Sequence, residues 1–378
     1  MPPTRIYLDA NATTPVLPEV TGAVTRALAV HGNPSSLHAA GREAARLLSE
    51  SRAAVARFLG AETRQVTFTS GGTEADRLAV LGALAAAKPR RHVVASAIEP
   101  SAIRDLLRAL AADGVETTWV RPDASGVVAA DAVRAALRDD TALAAVMWAN
   151  NETGVVQPVR EIAGACRDRG VTFVCDAVQA AGKIPIAFRD SGIDLVAVAA
   201  HKMHGPRGVG ALLVRDGARW RAPFPSSHEM GRRAGTEPLP LIAGFAAAAD
   251  AAAQTTDADR AALAELRDRL EAALVGALPG VAVNGDGPRV ANTSNLSFDG
   301  IESERLLASL DRAGIDASNG SACSSANPEP SHVLVAMGRS RAQAMSAVRF
   351  SLSRLTTRDD VDRAVAATIE SVLNLRAR

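Results

Sequence analysis

The sequence predicts an α/β protein, with a large domain on a mostly parallel seven-stranded sheet and a smaller α+β domain. Three observations support this. Seven short, β-rich runs recur through the first two thirds of the chain. Stretches with helical spacing lie between several of them. Beyond about Pro238 the texture changes to alanine-rich helix, then to a second, shorter set of strands and helices. Near-continuous apolar strands separated by helices imply a sheet covered on both faces, and ligands of such sheets gather at the carboxyl ends of the strands.

In chain order, the strands are expected at 65–69, 92–96, 115–120, 142–148, 171–175, 194–199 and 209–214. Helical spacing marks 73–87, 101–112, 130–138 and 159–169. An alanine-rich helical stretch covers 239–278, broken at 254–257 and closed by Pro279-Gly280. The smaller unit then reads as strands near 281–283 and 292–298, a helix at 302–313 and a Gly/Ser-rich loop at 318–327. A strand near 348–352 and a helix from 358 to about 373 complete it. At roughly 150 residues per domain, the length suggests two. The expected division is 15–255 for the large domain, with 1–14 and 256–378 forming the small one.

Composition narrows the function. Of 378 residues, 42 are Lys or Arg and 41 are Asp or Glu, so no basic excess exists to hold a phosphate backbone. Aromatics are 3%, too few for base-stacking platforms, and direct nucleic-acid binding is therefore not expected. No apolar run is long enough to span a bilayer, and the first residues lack the apolar core of a signal peptide. Cys166, Cys175 and Cys323 are too widely spaced for a disulfide framework or a cysteine-rich zinc site. A reduced, cytoplasmic protein with no structural metal is the expectation. Any cysteine that matters acts as a thiol.

Three strand ends carry chemistry. Ser70-Gly71-Gly72-Thr73-Glu74 follows a strand and opens a helix, where free N–H groups favour an anion; a plain glycine turn with a threonine cap is the alternative. Asp176 ends a strand and needs a partner, either a protonated ring nitrogen or a helix start. Lys202 lies between an apolar strand and a Gly-Pro turn, placed either to lose its proton and act as a Schiff-base amine or to reach into solvent. A phosphate cradle, an acid for a pyridinium and an amine for an aldehyde are together the requirements of pyridoxal 5'-phosphate.

With these residues in place, the chain resembles the cysteine desulfurases of the NifS/IscS type, within the class V aminotransferases. The matching segments, in order, are 7–15 (YLDANATTP), 32–38 (GNPSSLH), 69–74 (TSGGTE), 150–154 (NNETG) and 176–183 (DAVQAAGK). They continue through 201–210 (HKMHGPRGVG), 231–236 (GRRAGT), 318–325 (SNGSACSS), 329–332 (EPSH) and 349–352 (RFSL). The resemblance implies a pyridoxal-phosphate transferase of fold type I, acting on L-cysteine as a homodimer. It implies that Lys202 condenses with the cofactor, Asp176 pairs with its ring nitrogen, and Gln179 and Asn151 approach its phenolic oxygen. Gly72, Thr73 and His201 would hold the phosphate, and Thr236 would reach it from the other subunit. Arg349, with Asn33 and Asn151 nearby, would bind the substrate carboxylate. Cys323 would take the sulfur as a persulfide and pass it to an acceptor protein. The acceptor could serve iron–sulfur assembly, tRNA thiolation or a specialised pathway such as DNA phosphorothioation.

The pattern breaks at 96–103 (SAIEPSAI), where Pro100 stands in place of the family's ring-stacking histidine, and at Ala199, where a hydroxyl residue is usual. Proline neither donates nor accepts a proton, so proton handling is expected to fall to Lys202 or to His201, His204 or His228. Two alternatives remain open on the sequence. One is another enzyme on the same scaffold, such as a selenocysteine lyase, a cysteine lyase or an aminotransferase; Cys323 argues against it. The other is a non-catalytic subunit, which the two departures suggest and Lys202 opposes.

Overall fold

The computed structural model describes residues 5–224, 226–320 and 329–377. Seven strands form the main sheet in the spatial order Val66–Thr69, Gly210–Val214, Leu195–Ala199, Thr172–Asp176, Thr141–Ala145, His92–Ser96 and Glu116–Val120. Gly210–Val214 runs against both of its neighbours, and the other pairings are parallel. The central strands are buried along their whole length, as their unbroken apolar runs require when helices cover both faces. All seven expected strands are present, with ends shifted by a few residues; the run expected to continue to 148 leaves the ladder after Ala145.

The helices Gly72–Ala87, Ser101–Leu110, Ala130–Ala136 and Val159–Asp168 connect these strands. Two more, Pro18–Leu28 and Ala39–Leu59, precede the first of them and were not marked by the sequence pattern. Their buried positions include Ala27, Ala44, Ala54 and Ala56, and alanine gives little contrast with the polar face.

The alanine-rich stretch breaks into Leu239–Ala253 and Asp257–Ala277 at the expected place. Thr256 caps the second helix by accepting from the Asp259 amide, while the Asp259 side chain accepts from the Thr256 amide. The break separates two cores. Phe245 and Ala246 pack with Phe68 and Val198 of the main sheet's core. Leu270 and Leu274 pack instead with Phe298, Phe350 and Val372 around an antiparallel sheet of Ala347–Ser351, Thr293–Phe298 and Val281–Val283. Ile6 and Leu8 join this second core, because Ile6–Tyr7 pairs in parallel with Ile315–Asp316. The chain's first residues are thereby tied to its last third, and the segment 9–14 crosses from one core to the other above the main sheet's strand ends.

Candidate active site

Five strands of the main sheet lead into one cleft of about 350 Å³. Its lining includes Thr73, Pro100, Asn151, Asp176, Lys202 and Arg349, each from a different connection. The parallel direction of the strands places their carboxyl ends on one edge, so residues distant in sequence meet there.

Lys202 closes the short turn Ala200–Lys202 after the strand Leu195–Ala199. Its Nζ donates to the carbonyls of Asn11 at 2.5 Å and Ala12 at 2.7 Å. Burial and the Arg349 guanidinium lower its pKa to about 8, against the opposing pull of Asp176 and Asp9. Condensation with an aldehyde needs the neutral amine. The rate at which apoprotein takes up pyridoxal phosphate is therefore expected to rise with pH through about 8 and then level off; stopped-flow absorbance checks this.

The acid side contains a residue that the sequence reading missed. Asp176 ends its strand with Oδ1 accepting from the Val178 amide at 2.7 Å, and burial raises its carboxyl to about 6. Beside it lies Asp76, from the helix Gly72–Ala87, only 1% exposed and with neither oxygen partnered by a donor. Two adjacent buried carboxylates cannot both ionise, and burial, Asp176 and Glu99 all push the Asp76 pKa up. A proton on Asp76 shared with Asp176 satisfies both. The signal in the sequence was an acid within the buried run of Ala75, Leu78, Ala79 and Val80.

Glu99 adds a third acid. Its Oε1 accepts from Ser96 Oγ and from the Met147 amide, and burial pushes it up to about 8. A carboxyl with a folded pKa above its unfolded value stabilises most below the unfolded pKa, and that contribution is lost as pH rises through the folded one. Apoprotein stability from Glu99 should thus decline from about pH 4.5 to above 8. Glu99→Gln is expected to flatten this decline, with its melting temperature gaining on the parent's between pH 5 and pH 9.

At the opposite end, no side chain caps the helix Gly72–Ala87, leaving its first N–H groups toward the cleft. The loop before it lies against the sheet because Gly210 has no side chain; a Cβ there would sit 2.5 Å from the Val198 carbonyl oxygen and 2.8 Å from Gly71 C. His201 lines the cleft with Nδ1 3.3 Å from Thr13 Oγ1, and burial lowers it to about 4, so it is neutral. His204, with Nδ1 2.8 Å from the Pro15 carbonyl, and His228 do not line the cleft. Among the described residues, His201 is the only histidine on the cleft lining, which also includes Pro100 and Lys202.

Arg349 lies on the strand Ala347–Ser351 and is 4% exposed. Its guanidinium donates to Asp9 Oδ1 at 2.6 Å and to the Asn151 carbonyl at 2.9 Å, while Nε has no partner among the described residues. Its backbone pairs with Ser318, and Ser318 and Gly320 both line the cleft. Gln179 lines it too, its Nε2 donating to the Asn11 carbonyl at 2.9 Å.

Asn33 and Thr236 are exposed and do not line the cleft of this single chain; Asn33 Oδ1 instead accepts from the Ser35 amide at 2.8 Å. Cys323 falls within 321–328, outside the described residues. Cys166 and Cys175 are wholly buried, and burial lifts their thiols, Cys166 to about 12 and Cys175 well above its ordinary value. Neither is poised to react. No cluster of metal ligands occurs among the described residues, and no helix there is long and apolar enough to cross a membrane.

The fold and cleft define a fold-type-I pyridoxal-phosphate enzyme. The aminotransferase class-V family matches residues 6–364, and the chain belongs to that family. A cysteine desulfurase of Bradyrhizobium diazoefficiens is 45% identical over 375 residues, covering 98% of this chain and 95% of that one. A solved NifS-like protein superposes with a TM-score of 0.91 at 30% identity, covering 98% of this chain and 100% of its own. A solved SspA in complex with cysteine does so with a TM-score of 0.82 at 30% identity, covering 94% and 100%. Enzymes of this family use pyridoxal phosphate, and the residues here fit it. Among the described residues neither Asp76 oxygen meets a donor and no cationic side chain forms an ion pair with Asp176, a place that a protonated ring nitrogen would fill, and the helix start, which no described side chain caps, suits a phosphate.

Proposed function

We propose that this chain is a cysteine desulfurase that converts L-cysteine to L-alanine and leaves the sulfur on Cys323. The observation that carries this is the meeting of Lys202, Asp176, Arg349 and Gly320 in one cleft. In the sequence, Cys323 follows Gly320, which lines the cleft, by three residues.

Pyridoxal phosphate bound here would supply an aldehyde for the amines and an electron-withdrawing ring that acidifies the substrate α-carbon. Thr73, His201 and the first amides of the helix Gly72–Ala87, including Gly72, would hold its phosphate. Asp176 would keep a proton on the ring nitrogen, and Asn151 and Gln179 would hold the phenolic oxygen. Arg349 receives the substrate carboxylate. Lys202 removes the α-proton and returns protons to carbon, the task for which a pKa of about 8 suits it. The Cys323 thiolate attacks the substrate sulfur. An S–S bond forms as the C–S bond breaks, its electron pair stays with carbon, and proton uptake there gives alanine. Cysteine and one protein thiol thus become alanine and one protein persulfide.

Loss of the stacking histidine at Pro100 leaves Lys202 as the proton carrier on the described lining, which favours a slower, specialised enzyme dependent on its acceptor. The protein is read as a cytoplasmic homodimer, with Thr236 of each chain serving its partner's phosphate site and Asn33 assisting the substrate. The large domain is read as 15–255, with 1–14 and 256–378 carrying the Cys323 loop. Incubation of purified protein with isotopically labelled L-cysteine tests the assignment. Alanine should form in step with sulfur transferred to a thiol acceptor, whereas pyruvate or free sulfide without protein-bound sulfur would overturn it.

A further inference from the structure

Lys183 is a second, partly buried lysine that bonds to Gln179 of the cleft lining and has no part in the chemistry above. Its Nζ donates to Asn11 Oδ1 at 2.7 Å and to Gln179 Oε1, and no carboxylate among the described residues pairs with it. Both contacts are to amide oxygens, and this has a consequence for direction. An ammonium or amine nitrogen here offers N–H, so each amide that meets it must turn its oxygen inward and its NH₂ outward. For Asn11, Nδ2 then donates to Thr293 Oγ1 at 2.9 Å and the Asn151 carbonyl at 3.1 Å. For Gln179, one Nε2 hydrogen goes to the Asn11 carbonyl and the other is left for the cleft. Without Lys183, the Gln179 amide is held by the Asn11 carbonyl alone and is looser in its orientation.

We propose that Lys183 is a positioning residue that fixes Gln179 with its N–H toward the phenolic oxygen of the cofactor. It does so through Oε1 and does not itself line the cleft. This rests on the pyridoxal-phosphate reading above. A donor at the phenolic oxygen stabilises its anionic form and so lowers the pH at which the coloured, cofactor-bound Lys202 nitrogen loses its proton. Reversing or loosening Gln179 removes that help.

The test is the pH titration of the visible band of holoprotein, without substrate. Lys183→Met removes the donor and should raise the midpoint by about one unit, a tenfold change in proton affinity. Lys183→Gln keeps a donor for Gln179 Oε1 but has no charge, and should stay near the parent. Gln179→Leu should raise the midpoint as Lys183→Met does, and the double variant should shift no further than the larger single one, since both act through one contact. Equal shifts in Lys183→Met and Lys183→Gln, additive shifts in the double variant, or no shift at all would overturn the proposal. If Lys183→Met does not fold, Lys183→Leu takes its place in the same comparison. A parent protein with no visible band would instead count against the cofactor reading itself.

Discussion

Replacing Cys323 with serine is expected to abolish sulfur transfer to any acceptor while leaving the protein coloured and able to bind L-cysteine. Serine keeps the size of the side chain but offers no sulfur to form an S–S bond. Lys202, Asp176 and Arg349 are untouched, so cofactor and substrate still meet in the cleft of about 350 Å³. Loss of a covalent nucleophile is felt at roughly 10³-fold or more. The measurement is alanine formation under single-turnover conditions, together with the visible band before and after cysteine is added. Cys166→Ser and Cys175→Ser serve as controls. Both thiols are buried and held protonated, so each change should affect stability and leave alanine formation at the parent's rate.

Lys202→Ala is expected to act one step earlier. The variant should lose the pH-dependent visible band and retain less than about one part in 10³ of alanine formation, within the range that general acid–base groups supply. Its effect should exceed that of removing any neighbouring group, because in the proposed mechanism the same Nζ is both the cofactor's anchor and the proton carrier. Pro100 sharpens this. A histidine over the ring would share the proton work, but among the described residues His201 is the only histidine that lines the cleft. His201 faces the cleft but is held neutral at about 4, while His204 is turned to the Pro15 carbonyl. Added methylamine should restore part of the Lys202→Ala activity if the proton role is right. The fold should survive, since among the described residues Nζ bonds to two carbonyls, those of Asn11 and Ala12.

Which parts of this were legible in the sequence follows from physics. The seven strands were visible because strands buried on both faces read as apolar runs, and the placement of Asp176 and Lys202 at the cleft was signalled by a charged residue at the end of such a run. The helix Ala39–Leu59 was not, because alanine supplies much of its buried face. Asp76 was passed over as an ordinary helical acid, though it lies among buried alanines and leucines and shares the Asp176 site. The Asn11 hub could not be read at all. Its side chain and carbonyl join Lys183, Gln179, Lys202 and Thr293, partners lying 168 to 282 positions along the chain, and only the crossing of segment 9–14 over the strand ends brings them together. Asp9 is the same case, clamping Arg349 from 340 positions away. Asn33 and Thr236 show the converse: the motif marks them, but one chain does not bring them to its cleft.

The most direct test of the account is where the sulfur goes. Holoprotein given one equivalent of ³⁵S-labelled L-cysteine, then quenched, alkylated and digested, should carry the label on the peptide containing Cys323 as a reducible persulfide, with a matching amount of alanine in solution. Label on Cys166 or Cys175, or free sulfide released with Cys323 unmodified, would contradict it.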